Sequence, residues 1–82
     1  MHYQIIVKPR AFKDGKRIPK RMRARIFEKI ALLENDLTGN VKHLTDFIPE
    51  YRLRVGDYRV LFEIEGDRVV VYRIRHRKDV YR

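Results

Sequence analysis

The sequence predicts an α+β domain in which two N-terminal helices pack on one face of a small antiparallel β-sheet. Three observations point there. The hydrophobic period changes from about four residues to two at Tyr51, Gly-Asp pairs punctuate the period-two half, and only one face of those strands is apolar. With 82 residues there is room for one core, so residues 1–82 read as a single domain.

Taken in order, Tyr3 to Val7 reads as a first strand with Ile5 and Val7 facing one way. Pro9 opens a short helix through Phe12, expected to break near Gly15. Pro19 suits the start of a second helix because its φ is fixed and it has no N–H to leave unpaired. Between Lys20 and Glu34 the apolar residues Met22, Ile26, Ile30 and Leu33 recur at helical spacing, with Phe27 and Ala31 widening the stripe. Arg21, Arg25 and Lys29 line another side. Three strands then follow as a meander: Tyr51, Leu53 and Val55; Tyr58, Val60, Phe62 and Ile64; and Val70, Tyr72 and Ile74 are the expected inward residues.

Composition narrows the function classes. Lys plus Arg number 20 against 11 Asp plus Glu, a net charge of +9 that points to a polyanionic partner. Without cysteine there is no disulfide, thiolate metal site or Cys nucleophile. No stretch approaches the ~20 apolar residues of a membrane span, and no secretory signal pattern opens the chain, so a cytoplasmic protein without membrane partner is expected. HExxH, a Gly-rich phosphate loop, a nucleophile elbow and paired metal-ligand spacing are all missing, so no metal or cofactor is expected. The charge is uneven: residues 1–33 carry ten basic and two acidic side chains, residues 34–67 four and eight, and residues 68–82 six and one.

Register decides where the arginines go. A two-residue Gly56-Asp57 turn pairs Val55 with Tyr58 and hence Arg54 with Arg59. The same turn at Gly66-Asp67 would set Arg59 opposite the apolar Ile74, which a one-sided sheet does not permit. A three-residue loop from Glu65 to Asp67 sets Phe62 opposite Val70 and Arg59 opposite Arg73, and is the expected register. Arg52, Arg54, Arg59, Arg73 and Arg75 then share the uncovered face. Like charges facing one another across strands destabilise a sheet. Such a face suits a phosphate backbone, through bidentate charge-assisted hydrogen bonds.

The segment YRLRVGDYRVLFEIEGDRVVVYRIRHRKDVYR closely resembles the C-terminal half of the RelE/ParE toxin superfamily, and RHRKDVY places it nearer the RelE branch. The first strand, the KPRAFKD entry to the first helix and IPKRMRARI of the second are also similar, so the resemblance covers nearly the whole chain. It implies a RelE-like fold and the toxin of a type II toxin–antitoxin system: a ribosome-dependent endoribonuclease that cuts mRNA in the A site. The mRNA 2′-OH would attack the adjacent phosphate, leaving a 2′,3′-cyclic phosphate and a 5′-OH. Its partners would be a cognate antitoxin and the ribosome with mRNA. By position, Arg59 and Arg75 match arginines that stabilise the phosphate, and Tyr81 matches a tyrosine that stacks on a base and orients the nucleophile. Arg52 and Arg54 stand where well-known relatives carry lysine. Arginine stays protonated, so these two supply charge but are poor general bases.

His76 is the candidate proton carrier, because imidazole titrates near neutrality and it adjoins Arg75. Its strand parity equally fits a residue capping the sheet. His2 and His43 read as surface residues, and Glu50 and Glu63 as salt-bridge partners more than as bases. Tyr81, flanked by Arg77, Lys78 and Arg82, is expected to stack on RNA, with Arg73, Arg77 and Lys78 adding phosphate contacts. Two other functions fit this chain: a ParE-like, non-enzymatic inhibitor of DNA gyrase, and an inactive basic module that binds RNA or antitoxin.

Overall fold

The computed structural model describes residues 2–35, 37, 41–44 and 48–79. Its elements run β1 (Gln4–Val7), α1 (Pro9–Lys16), α2 (Lys20–Leu32), β2 (Val41–His43), β3 (Tyr51–Val55), β4 (Tyr58–Glu65) and β5 (Arg68–His76). The strands form one sheet in the order β1-β5-β4-β3-β2. The expected meander β3-β4-β5 lies at its centre. Two features differ from the expectation: β1 joins β5 in parallel, and the short edge strand β2 adds a fifth member.

Proline at N1 opens α1, where its missing N–H costs nothing. This helix runs on to Lys16, so Gly15 lies inside it. Gly15 is buried, and a Cβ there would meet the Phe27 ring at 3.1 Å. Glycine therefore serves close approach of α1 to α2, and not the helix break anticipated from it. In α2, Ile26 and Ile30 are buried, as is Leu33 just past its end, while Met22 and Phe27 pack at the margin. Arg21, Arg25 and Lys29 are exposed. The helical stripe meets Leu53, Val55, Val60, Phe62, Val69, Val71 and Ile74 from the sheet in one core cluster, with Ile5 and Val7 packed against it.

Both hairpins turn through two residues, with Gly56 at φ 58° and Gly66 at φ 63° in the first turn position. Positive φ at that position alone is the II′ pattern, whose twist suits antiparallel strands. The expected pairing of Arg54 with Arg59 is present.

The second hairpin corrects the expected register. Its turn has two residues, not three, and sets Glu65 opposite Arg68 and Phe62 opposite Val71. The register then shifts, so that Leu61 faces Arg73 and Arg59 faces Arg75 rather than Arg73. Tyr72 is the extra residue of a β-bulge. Inward parity therefore falls on Val69 and Val71 before the bulge and on Ile74 after it, displacing Val70 and Tyr72 from their expected core places. Val70 is still buried, but on the outer face, where it neighbours Ile6 of β1 and Glu63 of β4.

Gly66 isolates the value of the turn geometry, because a Cβ there would meet nothing within 4 Å. Gly66→Ala should lower stability by about 1–2 kcal/mol through backbone strain alone. In thermal melts that is a drop of roughly 4–16 °C for a domain of this size. An unchanged midpoint would show that the turn relaxes to another type.

Candidate nucleic-acid interface

β3, β4 and β5 are adjacent central strands, and each contributes one arginine to a single cross-strand row. Arg54 pairs with Arg59, and Arg59 pairs with Arg75. The row lies near the Gly56-Asp57 turn, on the face that the helices leave open. One step along the strands, Arg52 and Arg73 flank Leu61, with Lys42 of β2 beyond Arg52.

The central member is held by the turn beneath it. Nη1 of Arg59 donates to the carbonyl oxygens of Gly56 and Tyr58, each at 2.9 Å. That uses both hydrogens of one guanidinium nitrogen and leaves Nη2 and Nε as donors to a ligand. Partial burial, followed by repulsion from Arg54, Arg52 and Arg77, lowers the pKa of Arg59 from its ordinary value, and Asp57 only partly offsets this. Arginine remains protonated under such a shift. The site thus stores unfavourable charge density that an arriving phosphate would relieve.

The other candidates are placed as follows. Arg77 extends the cluster: its backbone N–H donates to the Asp57 carbonyl at 2.7 Å, and its Nε lies 3.7 Å from the Asp57 carboxylate. Lys78 is exposed in the turn that follows β5. His76 ends β5 opposite Tyr58, edge-on to that ring at 5.3 Å, on the other side of the sheet from Arg75. Its Nδ1 accepts the Lys78 backbone N–H at 3.2 Å, so a proton carried by the neutral ring sits on Nε2. Tyr81 lies outside the described residues. Glu50 pairs with His43 at 3.2 Å, and its backbone N–H donates to Glu63. His43 also stacks on Tyr51. Among the described residues, no group of three His, Asp or Glu side chains is arranged to hold a metal ion.

Arg73 departs from expectation in its surroundings. It does share the outer side with Leu61, but its Nε and Nη2 grip the Asp14 carboxylate of α1 at 2.8 and 3.2 Å. The same carboxylate accepts the Ile74 N–H at 2.9 Å. Burial opposes ionisation of Asp14, but the bonds from Arg73 and Ile74 and the charges of Arg73 and Arg75 outweigh it, so its pKa lies below the ordinary value of 3.8. The Asp14 bond in turn raises the pKa of Arg73. Sequence reasoning passed over Asp14. The available signal was its rarity, because it is one of two acidic residues among the first 33.

Comparison with known proteins agrees with this fold. A family model described as the ParE toxin of a type II toxin–antitoxin system, parDE, matches residues 5–81. The chain belongs to the RelE/ParE toxin superfamily. Toxin RelE3 of Methanocaldococcus jannaschii is 37% identical over 76 residues, covering 84% of each protein. The RelB–RelE antitoxin–toxin complex from Methanococcus jannaschii contains a chain with 31% identity and a TM-score of 0.78, over 93% of this chain and 94% of that one. The toxin–antitoxin complex RelBE2 from Mycobacterium tuberculosis gives 25% identity and a TM-score of 0.80, over 93% and 99%. Within the superfamily, this chain is a toxin of the RelE type.

Two predictions follow from the charges of this RelE-type toxin. Relieving the arginine row should stabilise it: Arg54→Gln is expected to add about 0.2–1 kcal/mol in urea titrations at low salt. The gain should shrink toward zero near 1 M salt, where the Debye length is about 3 Å. For Asp14 the folded-state pKa is depressed, so its contribution is complete above 3.8 and is lost as the pH falls through the lower folded value. Asp14→Asn should therefore cost about 1–3 kcal/mol at pH 7. The gap to wild type should close in acid, and a gap independent of pH would remove the charge from the explanation.

Proposed function

We propose that this toxin is a ribosome-dependent endoribonuclease that cuts mRNA in the A site. The observation that carries the reading is the row Arg54–Arg59–Arg75, three cations on adjacent central strands with no salt bridge to a carboxylate among the described residues. Repulsion across strands is a standing cost that a purely structural face has no reason to bear. An in-line attack of the mRNA 2′-OH on its own phosphate builds negative charge on the phosphoryl oxygens, and fixed guanidinium forks stabilise that charge. The new O–P bond closes the 2′,3′-cyclic phosphate as the bond to the 5′-oxygen breaks. The 2′-hydroxyl proton passes to water, and a proton from water makes the leaving oxygen the 5′-OH.

In this reading Arg59 and Arg75 contact the scissile phosphate, Arg54 and Arg52 add positive charge, and Arg77 and Lys78 hold neighbouring phosphates. Tyr81 stacks on a base. Arg73, committed to Asp14, supports the site from behind. His76 reaches the substrate only around the end of β5, so electrostatic stabilisation carries most of the catalysis. Dependence on the ribosome follows from size: the sheet supplies phosphate clamps, while the ribosome holds the codon in an attack geometry. An antitoxin is the natural inhibitor, because the related RelE chains occur in complexes with RelB. The cytoplasm, where ribosomes work, is the place of action.

The test is a cell-free translation reaction read by primer extension, run beside a DNA supercoiling assay with gyrase. Wild type should give cuts within A-site codons and leave supercoiling intact, while Arg59→Ala or Arg75→Ala should lose about 10²–10³-fold in cutting rate with the fold retained. Blocked supercoiling with intact mRNA would instead make it a gyrase inhibitor. RNA binding without cutting would make it an inactive module.

A further inference from the structure

We propose that Asp14 is a positioning residue for the arginine row: its carboxylate stands in for a missing strand beside β5 and thereby fixes Arg75 opposite Arg59. This deepens the reading above, in which that row contacts the scissile phosphate, and it rests on that reading.

The argument starts where β1 stops. β1 pairs with β5 only as far as Val7 and Val71, and the last bond is the Lys8 N–H to the Val71 carbonyl at 2.9 Å. Pro9 then has no N–H to offer, and the chain turns into α1. From Tyr72 onward β5 keeps β4 on one side and, among the described residues, no strand on the other. The bulge at Tyr72 has meanwhile reversed the parity, so the Ile74 N–H points to that open side. Asp14 accepts it at 2.9 Å and takes Arg73 in a two-bond fork at 2.8 and 3.2 Å. One carboxylate thus holds two consecutive residues, and the next residue is Arg75.

Asp14 is itself well seated. Its side chain is only 16% exposed. The neighbouring Gly15 packs closely on Phe27, where a Cβ would come within 3.1 Å of the ring, so the last turn of α1 sits close against α2. Arg75 faces Arg59 with Arg54 beyond, and like charges across strands loosen their pairing, so the place of this strand end depends on what fixes it from the open side. Asp14 itself lines a cleft of about 220 Å³, together with Arg17 and Ile18 just past α1 and Tyr58, Arg75 and His76. Without the carboxylate, that space lets the end of β5 relax away from the row. A simple staple predicts lost stability alone, whereas a positioning residue predicts a misplaced Arg75 in a protein that is still folded.

The deciding experiment uses the whole isotope-labelled toxin. Nuclear magnetic resonance follows amide exchange along β5 and the response of the Arg75 side-chain Nε–H to added inorganic phosphate. Single-turnover mRNA cutting on saturating ribosomes is read in parallel. In Asp14→Asn, amides from Ile74 to His76 should exchange at least about tenfold faster while Leu53 is unchanged. The phosphate response of Arg75 should weaken about tenfold. The cutting rate at saturation should fall about tenfold, with the half-saturating ribosome concentration nearly constant. Asp14→Glu, which moves the carboxylate by one methylene, should be intermediate and serves if the Asn variant does not fold. Lys13→Ala, on the exposed side of α1, should match wild type.

A folded Asp14 variant with a wild-type phosphate response at Arg75, or faster exchange spread evenly over all strands, would overturn the proposal. If wild-type toxin cuts no mRNA, the functional reading fails, and the exchange and phosphate responses still decide the role of Asp14.

Discussion

β5 has to bury Val69 and Val71 near its start and Ile74 near its end, a spacing that strict alternation along a strand cannot satisfy. The single extra residue at Tyr72 reconciles the two halves, and most of the outer face depends on it. Without the bulge the two-residue turn at Gly66-Asp67 would bring Ile74 opposite Arg59 and turn one apolar set to solvent. With it, Arg75 arrives opposite Arg59 and the inward residues of β4 and β5 stay on one side. The bulge also sits just past the point where β1 leaves the sheet. Extra local twist, the end of β1 and the entry of Asp14 therefore coincide within the four residues from Val71 to Ile74.

The resulting face holds like charges together, and the surrounding structure shows how they are kept there. Arg59 is tied to two carbonyls of its own turn. Arg77 leans on Asp57, a pair too exposed to contribute more than about 1 kcal/mol. Arg73 is withdrawn toward α1 by Asp14, which lets a fourth arginine reside near the row without adding fully to its repulsion. Each restraint reaches an arginine from the edge of the row or from beneath it. None places a carboxylate between neighbouring arginines, where it would cancel the potential that an anion would meet.

Much of this was legible from local patterns. The stripe Ile26, Ile30 and Leu33, the change of period at Tyr51 and the pairing of Arg54 with Arg59 each depend on residues close in sequence or on one tight turn. The bulge was harder, because its cause is the joint demand of β4, β1 and both helices on β5. Its trace in the sequence is the unbroken run Val69-Val70-Val71 followed by Ile74, which alternation rules read as a parity error to be absorbed by the loop. Val70 explains the run, since it is buried on the outer face beside Ile6. Asp14 was hidden for a similar reason, as its partners Arg73 and Ile74 lie 59 and 60 residues away. Parallel pairing of β1 and the three-residue edge strand β2 are likewise set by distant contacts. Tyr81, for which the resemblance carries a role, lies beyond the described residues.

The outer face is also polar along its strands. Moving along β4 from the turn, the outward residues are Arg59, Leu61, Glu63 and Glu65, so cations give way to an apolar step and then to acids. On β5 the same rows carry Arg75, Arg73, Val70 and Arg68. Glu65 accepts the Tyr72 hydroxyl, and this bond, followed by burial and the charges of Glu65 and Glu63, raises the pKa of Tyr72. A polyanion laid along β4 would pass from Arg59 onto Glu63 within about 13 Å. One laid across the strands meets Arg75, Arg59 and Arg54 in succession over about 10 Å, at the ordinary spacing of neighbouring strands. Attraction along the row and repulsion at the acidic end therefore act together, and both favour a phosphate chain that crosses the strands near the Gly56-Asp57 turn. The bulge sets this direction as well, because it is what carries Arg75 into line with the other two.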